Sequence, residues 1–301
     1  MANLHGINRR IKSVTSTKQI TSTMQMISAA KVPKCQKRLQ SNIPYNKGLK
    51  KILSSVCSSN INTKNSLLLS HKSIKNNLII VITSDKGLAG GFNSKILQIA
   101  QNIIDENKKQ NINTCVISCG KKATIYCKWR GIDTKFNYVG RSENPSFKQA
   151  KEISDYITKQ FVKGNIDKVN IIYNKCKNSL EQEQESETLL PFNFNNDKEA
   201  QDENNNNQNN KEYQSEFVFE PSEEYIISKL IPMYIRCYIY NKLIDSACGE
   251  QVARRVAMQA ATDSANDMIE TLTRQYNTLR QGAITTELTE IVGGADALDE
   301  N

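Results

Sequence analysis

The residues in this sequence that could bind phosphate form a glycine-rich turn, SDKGLAGGFN, at positions 84–93. An apolar run that predicts a strand precedes the turn, and a run that predicts a helix follows it, as in nucleotide-binding turns. The turn lacks both the GxGxxG spacing and the GKS or GKT ending of phosphate-binding motifs. We therefore interpret Gly87, Gly90 and Gly91 mainly as residues that permit a tight turn or a subunit contact, with nucleotide binding as the lesser alternative.

The cysteines and histidines are the other residues that could hold a metal or carry redox chemistry. The sequence has eight cysteines but no CxxC pair, and its two histidines, His5 and His71, lie far from them. Zinc sites need thiolates and imidazoles at short spacings. We predict no metal and no cofactor, and we interpret the cysteines as free structural thiols in a reducing compartment.

Patterns typical of catalysis are missing from the sequence. Neither histidine has a nucleophile or a carboxylate beside it in a convincing arrangement, and the GxSxG turn of serine hydrolases does not occur. Catalytic triads assemble from residues that are distant in sequence, so this observation disfavours an enzyme without excluding one. We predict a chain that is not catalytic alone.

The positive charge of the chain is concentrated at its N-terminus. The net charge is +9, and residues 1–84 include 14 Lys and Arg but no Asp or Glu. Such a block is consistent with nucleic acid, an anionic membrane, a solvated helix face or acidic partner surfaces. It also resembles a mitochondrial transit peptide, but it continues into predicted structure, so we expect it to be part of the working protein. No run approaches the ~20 apolar residues of a membrane span, and we expect membrane contact only through partners.

An N-terminal helix is predicted over residues 1–60. Ile7, Ile11 and Val14 are spaced by four and three residues, which places an apolar stripe along one helix face. Pro33 and Pro44 each remove an amide donor and clash with the preceding turn. We therefore expect a kink or a local break near these two prolines.

An α/β domain is predicted over residues 75–220. Its predicted elements are strands at 77–83, 113–119 and 168–173 and helices at 93–109, 121–130 and 146–163. Short β-branched runs that alternate with helices predict a mostly parallel sheet covered on both faces.

A polar segment, residues 181–214, interrupts this pattern. It contains the runs EQEQESE and NNNNQNN and cannot bury enough apolar area to offset its ordering entropy. We expect a mobile loop, with a disordered insert at about 195–214, between short strands at 189–194 and 216–219.

The C-terminal region, residues 222–298, predicts one long helix. No proline follows Pro232, and apolar residues recur at near-heptad spacing, which is typical of a coiled coil. About 60 helical residues would extend ~90 Å, too far to be buried within a domain of this size. The N-terminal helix is the natural partner. The predicted fold class is therefore α/β: a long antiparallel two-helix coiled coil, formed by the N- and C-terminal helices, with an inserted Rossmann-like α/β domain.

Four segments of the sequence resemble the gamma subunits of F-type ATP synthases. They are IKSVTSTKQITSTMQMISAAK at 11–31, ITSDKGLAGGFN at 82–93, EQVARRVAMQAATDSANDMI at 250–269 and YNTLRQGAITTELTEIVGGADAL at 276–298. The segments occur in the order that the family has, and they cover both ends of the chain and the start of its middle. The resemblance is therefore far more specific than a single motif.

The resemblance implies a rotor in the central stalk. The coiled coil would enter the ring of alternating alpha and beta subunits, the α/β foot would rest on the c-ring, and delta/epsilon-type stalk subunits would be further partners. Rotation would change the nucleotide affinity of each catalytic subunit in turn. Nucleic acid is not an expected partner. The implied location is the matrix side of the mitochondrial inner membrane, with the cytoplasmic face of a bacterial plasma membrane as the alternative.

The resemblance also implies roles for individual residues, with ordinary helix surface or core as the alternative for each. The positions implied to contact the beta subunit and transmit torque are Met24, Arg255, Arg280, Gln281, Thr285, Glu287 and Glu290. The implied c-ring contacts, in the FVFEP stretch, are Phe217, Phe219 and Glu220. Gly87, Gly90 and Gly91 match the family's glycine-rich turn.

The sequence departs from the family pattern in four places, which include Ala89, where many members carry Cys, and the CGEQ run at 248–251. Pro33 stands where the family usually has a helix former, and the polar insert at 200–211 is unusual. The insert lacks a cysteine pair, so we do not expect a plastid-type thiol switch there. The alternative functions are a non-catalytic coiled-coil scaffold with an α/β adaptor domain and, third, a nucleotide-dependent enzyme.

Overall fold

The structure is a computed structural model that describes residues 2–59, 67, 74–178, 181–191 and 223–299. The chain folds into two compact units. One unit comprises Met1–Ala30 with Arg254–Asn301, and the other comprises Lys31–Ala253. We call them the helix-pair unit and the α/β unit.

Five helices and five strands make up the described chain. The helices are α1 (Ala2–Ser59), α2 (Phe92–Lys109), α3 (Lys121–Arg130), α4 (Phe147–Val162) and α5 (Glu223–Asp299). The strands are β1 (Asn76–Ile82), β2 (Asn113–Cys119), β3 (Thr134–Tyr138), β4 (Lys168–Cys176) and β5 (Gln182–Leu190). No helix in the described ranges is long and apolar enough to cross a membrane.

The strands form one sheet in the order β3-β2-β1-β4-β5. The first four strands are parallel, with Leu78 of β1 opposite Cys115 of β2 and Val169 of β4, whereas β5 is antiparallel to β4. The predicted mostly parallel sheet between an N-terminal and a C-terminal helix is confirmed.

Each face of the sheet packs against helices of the α/β unit. On one face, Leu78, Ile80 and Ile171 lie in a core with residues of α1, α4 and α5. On the other face, Ile79 and Val81 pack with residues of α2 and α3. Burial on both faces explains why the central strands are continuous apolar runs rather than alternating ones.

Strand β5 corrects the prediction for the polar segment. Residues 181–190 were expected to belong mostly to a mobile loop, but Gln182–Leu190 pairs with β4 along its length. Tyr173 and Lys242 explain this difference, because both reach the acidic strand from other elements. The Tyr173 hydroxyl lies 2.6 Å from Glu185 Oε2 and 2.7 Å from Glu187 Oε1, and Lys242 Nζ donates to Glu187 Oε1 at 3.1 Å.

Two further points concern strands and segments outside residues 181–190. Strand β3, a short stretch with the sequence TKFNY beside β2, was not predicted. The expected insert at about 195–214 and the expected strand at 216–219 lie outside the described residues.

Helix α1 is continuous through Pro33 and Pro44, so the predicted local break does not occur. Each proline removes only one amide donor from the helical ladder. Buried side chains hold the helix on both sides of Pro44, since Val32 precedes it and Leu49 follows it. Between the prolines, Arg38 donates to the Pro145 carbonyl oxygen at 2.5 Å. Tertiary packing therefore outweighs the local cost of the prolines.

The helix-pair unit contains the first part of α1 and the last part of α5, which run in opposite directions. Thr262 Oγ1 donates to Thr21 Oγ1 at 2.8 Å, and one turn away Gln25 bonds to Gln259. Ser28 is also buried, with only 1% of its surface exposed. Small and hydroxyl-bearing side chains thus occupy the contact between the two helices.

Helix α5 is hydrogen-bonded to the end of β4 through the buried carboxylate of Asp245. The backbone N–H of Cys176 donates to Asp245 Oδ1 at 2.8 Å. Burial raises the pKa of Asp245 to about 6, although this hydrogen bond and the charge of Lys242 oppose the rise. Ionisation of Asp245 therefore costs folding free energy while the hydrogen bond orients the strand.

We expect Asp245→Asn to stabilise the protein at neutral pH relative to acidic pH. The folded-state pKa lies above the unfolded value, so the wild-type penalty is absent below about pH 4 and complete above pH 6. The amide keeps an acceptor for Cys176 without the charge. The free energy of unfolding, variant minus wild type, should rise by about 1–3 kcal/mol between pH 4 and 7.5 in urea titrations. Asp105→Asn, at an exposed position, is the control, and a difference for Asp245→Asn as flat as the control's would contradict the assignment.

Candidate functional site

The loops that could form a site meet at the carboxyl edge of the parallel strands. Strands β1, β2 and β3 end at Ile82, Cys119 and Tyr138. The loops that follow contain the glycine-rich turn, Gly120 and the segment 139–146. In open parallel sheets, ligands bind beyond this edge, so these loops are the first candidates for a functional site.

The glycine-rich turn is closed by its own hydrogen bonds. Asn93 Oδ1 accepts from the Ser84 backbone N–H at 2.9 Å. Of the three glycines singled out, only Gly90 has a positive φ, at 56°, and the non-glycine Leu88 has one of 61°. Gly87 and Gly91 would accommodate a Cβ at ordinary distances, 3.9 Å and 3.5 Å from lysine side chains. The backbone conformation of the turn therefore favours a glycine at one of the three positions, Gly90.

Asp85 joins the three loops at this edge. Its carboxylate accepts from the backbone N–H of Lys121 and of Ser142, each at 2.9 Å. The Asp85 N–H in turn donates to Ser142 Oγ at 2.9 Å. Burial opposes ionisation, but the backbone donors of Ser142, Gly140 and Lys121 prevail and lower the pKa of Asp85. The ionised carboxylate of Asp85 thus holds the three loops together.

Gly120 marks the closest backbone approach at this edge. Its φ is 105°, and a Cβ at this position would lie 2.2 Å from the Thr83 carbonyl oxygen. Its own N–H donates to the Tyr138 carbonyl oxygen at 2.7 Å. A glycine is required here both by the backbone conformation and by space.

Glu143 connects the edge to α1 within the α/β unit. Lys31 Nζ lies 2.7 Å and Lys86 Nζ 2.8 Å from its carboxylate oxygens. Burial alone would raise the pKa of Glu143, but the hydrogen bonds from the two lysines lower it. Some of the N-terminal basic residues are therefore used inside the chain.

These polar groups are occupied by one another, and their arrangement serves positioning rather than catalysis. No group of three or more His, Cys, Asp or Glu in the described ranges could hold a metal ion. Sequence reasoning missed Asp85, Gly120, Ser142 and Glu143. The signal for Asp85 and Gly120 was available in principle, because parallel strands end at the same edge and each of these two residues follows a predicted strand. Ser142 follows β3, which was not predicted.

The residues implied to transmit torque all lie in the helix-pair unit. Met24 and Arg255 are half-buried on the paired segments of α1 and α5. The other five positions are exposed near the end of α5: Arg280, Gln281, Thr285, Glu287 and Glu290. Thr285 Oγ1 donates to the Gln281 carbonyl oxygen at 2.9 Å, within the same helix. Phe217, Phe219 and Glu220 lie outside the described residues, and the glycine-rich turn belongs to the α/β unit.

The end of α5 exposes large apolar side chains as well as polar ones. Ile284, Leu288, Ile291 and Val292 are each between 46% and 69% exposed. Leu279, one to two turns before Ile284 on the same helix, is 40% exposed. An apolar stripe that the described residues do not cover indicates a surface for a partner.

Comparison with known proteins identifies the family. Residues 3–298 match the family described as ATP synthase. The ATP synthase gamma chain of Chloroherpeton thalassium is 36% identical over 305 residues, covering 100% of both chains. That of Fusobacterium nucleatum is 37% identical over 298 residues, covering 99% of this chain and 100% of the relative. The chain belongs to the ATP synthase gamma chain family.

Solved structures agree with this assignment. The central stalk/c-ring structure of the Tetrahymena thermophila mitochondrial ATP synthase includes a chain 25% identical, with a TM-score of 0.58, that covers 80% of this chain and 99% of its own. The rotor of the Euglena gracilis mitochondrial enzyme is similar in fold, with a TM-score of 0.63 at 16% identity, covering 94% of this chain and 99% of its own. This gamma chain is therefore a central-stalk rotor subunit of ATP synthase, a component of the complex that is not catalytic alone.

We expect Gly120→Ala to destabilise the gamma chain far more than Gly131→Ala. Both glycines have positive φ, but only Gly120 has a backbone oxygen where the new Cβ would lie. The free energy of unfolding should fall by at least about 3 kcal/mol for Gly120→Ala. For Gly131→Ala, which has open space, it should fall by about 1–2 kcal/mol. Urea unfolding of both variants checks this, and equal losses would refute the role of the Thr83 contact.

Proposed function

We propose that the paired segments of α1 and α5 form an antiparallel coiled-coil shaft that transmits rotation to the alpha and beta subunits of the head. The exposed apolar stripe near the end of α5 carries this proposal. Side chains such as Leu288 and Ile291 gain free energy only when another surface covers them, at about 25 cal/mol per Å². The head of the complex is the surface that a central stalk meets.

The contacts within the helix-pair unit support the coiled-coil part of this proposal. Gln25 bonds to Gln259 and Thr21 to Thr262, so residues of α1 meet residues of α5 in reverse order. For the α/β unit, the parallel order β3-β2-β1-β4 supports a Rossmann-like arrangement. We propose that this unit is the foot that rests on the c-ring and meets the delta/epsilon-type subunits of the stalk.

The proposed partners agree with the assemblies in which similar chains occur. Similar chains occur in a structure of the central stalk with the c-ring and in one of OSCP/F1/c-ring. The basic residues of α1 that point to solvent, such as Arg9 and Arg10, suit an acidic surface on the head. Membrane contact would then occur only through the c-ring.

The mechanism that follows is steric and electrostatic. A shaft with an uneven profile makes different contacts with each catalytic subunit, and rotation exchanges those contacts. A contact that is stronger in one conformation of the subunit shifts its population and hence its nucleotide affinity. The gamma chain needs no nucleophile or cofactor of its own for this role.

The relatives bear on where the complex is located. The most similar gamma chains reported above are bacterial, and they favour the cytoplasmic face of a bacterial plasma membrane. They do not support the mitochondrial inner membrane, which was the first expectation from the sequence. We propose the bacterial location.

We expect replacement of both Arg280 and Gln281 by Ala to slow turnover without preventing assembly. Both side chains are exposed on α5, and arginine binds a carboxylate at two points. Loss of ~1–2 kcal/mol in one rotational state would reduce ATP hydrolysis about 5–30-fold. The measurements are ATP hydrolysis and subunit content of the purified complex. Normal turnover would contradict the contact.

Leu279→Asp is the matched control for this double variant. The wild-type side chain is 40% exposed, so the gamma chain should still fold, whereas a charge in the apolar stripe should weaken association with the head. We therefore expect less assembled complex rather than slower turnover per complex. The same defect in both variants would contradict the division between apolar and polar contacts.

We expect Met24→Lys to reduce coupling in an assembled enzyme. Met24 is half-buried on α1, and a cation there would add an ion pair with an acidic beta-subunit surface in one orientation. Extra binding in one state that the transition state does not share slows stepping. Proton pumping per ATP hydrolysed should fall while assembly is retained. Met26→Lys, at an exposed neighbouring position on α1, is the control; an unchanged ratio for Met24→Lys would disprove this role.

A further inference from the structure

Two cysteines that are distant in sequence meet inside the α/β unit. Cys176 is the last residue of β4, and Cys248 lies on α5; their Sγ atoms are 3.3 Å apart. Both are free thiols in this structure. Sequence spacing gave no sign of this pair, because 72 residues separate the two positions.

The end of β4 and one face of α5 hold the pair in place. The Cys176 N–H donates to Asp245 Oδ1, and Asp245 lies one turn before Cys248 on the same helix. The Cys176 thiol faces the carbonyl oxygen of Asn178 at 3.4 Å. The hydrogen bond from the Cys176 N–H to Asp245 fixes the position of Cys176 along α5 and keeps the two sulfur atoms opposite each other.

We propose that Cys176 and Cys248 are an oxidation site that forms a reversible disulfide between β4 and α5. A disulfide has an S–S distance of about 2.05 Å, so the two sulfur atoms must approach by about 1.3 Å. Rotation of two χ1 angles moves sulfur atoms by that amount, and Cys176 is only half-buried at the end of its strand. The reactant at this site is a small disulfide or another oxidant of thiols.

The two thiols differ in a way that gives them an order of reaction. Cys176 is partly accessible, whereas Cys248 is buried. The Cys248 thiol donates to the Cys176 sulfur, which lowers the pKa of Cys176 against the opposing effect of burial. The same hydrogen bond, together with burial, raises the pKa of Cys248. Cys176 is therefore the thiol that reacts first, and Cys248 is the one that resolves the intermediate.

The reaction with a low-molecular-weight disulfide balances in two steps. The Cys176 thiolate attacks one sulfur of the oxidant, a mixed disulfide forms, and the other half of the oxidant leaves as a thiolate that takes up the proton lost from Cys176. Cys248 then loses its proton and attacks the Cys176 sulfur. The protein disulfide forms, and the second half of the oxidant leaves as a thiol. Two cysteine thiols are oxidised and one small disulfide is reduced.

The test is peptide mapping of the complete ATP synthase complex after exposure to oxidised glutathione. Free thiols are blocked, the gamma chain is digested without reductant, and cross-linked peptides are identified by mass spectrometry. We expect one new cross-link, Cys176 to Cys248, that disappears after dithiothreitol treatment. Absence of this cross-link, or a cross-link that uses Cys35 in place of either residue, would overturn the proposal.

Variants separate the two roles. In Cys248→Ser the resolving thiol is missing but the hydroxyl can still donate to the Cys176 sulfur, so Cys176 should accumulate as the mixed disulfide with glutathione, at least about 10-fold above its level in wild type. In Cys176→Ser neither product should form. Cys127→Ser is the matched control: burial raises the pKa of Cys127 to about 11, and the wild-type cross-link should persist. A Cys176 that remains unmodified in Cys248→Ser would refute the order of reaction. These readouts are chemical, so failure of the proposed rotor contacts would leave them unchanged.

Discussion

Burial of the central strands on both faces is the constraint on which the rest of the α/β unit depends. Strands β1 and β4 carry apolar side chains on each side, so the sheet needs two layers of helices. Helices α2 and α3 supply one layer from within the domain. The other layer takes Leu49 and Leu53 from α1 and Ile231 and Ile235 from α5. Helices α1 and α5, from opposite ends of the sequence, are thereby anchored in one core of the α/β unit.

The sequence predicted those parts of the fold that local pattern determines. The boundaries of β2 and α3 were predicted to the residue, because an apolar β-branched run and a glycine after the helix are local signals. Strand β5 could not be predicted in this way, because one of the lysines that pair with its glutamates, Lys242, lies 55 residues from its partner Glu187. Continuity of α1 through Pro44 likewise depends on distant packing.

The candidate functional residues divide along the same line. Asp85 and Gly120 act through loops that only the sheet brings together, and their chemistry follows from geometry. The positions near the end of α5, such as Arg280 and Glu287, came from resemblance to a family. Physical reasoning about one chain finds their exposure but not their partner, because the partner's surface is needed to define the contact. The pair Cys176 and Cys248 is an intermediate case, since it is visible in the fold and silent in the sequence.

The acidic side chains of β5 affect how the sheet edge associates with other chains before the subunit assembles with its partners. A strand at the edge of a sheet offers unpaired backbone groups to any other extended chain. Strand β5 carries Glu183, Glu185 and Glu187, and Lys135 lies on the opposite edge strand, β3. Charged side chains on the outermost described strands disfavour the addition of another strand, because an incoming chain would have to desolvate them. The described sheet is therefore less prone to edge-to-edge association than an apolar one, while the apolar stripe on α5 remains exposed.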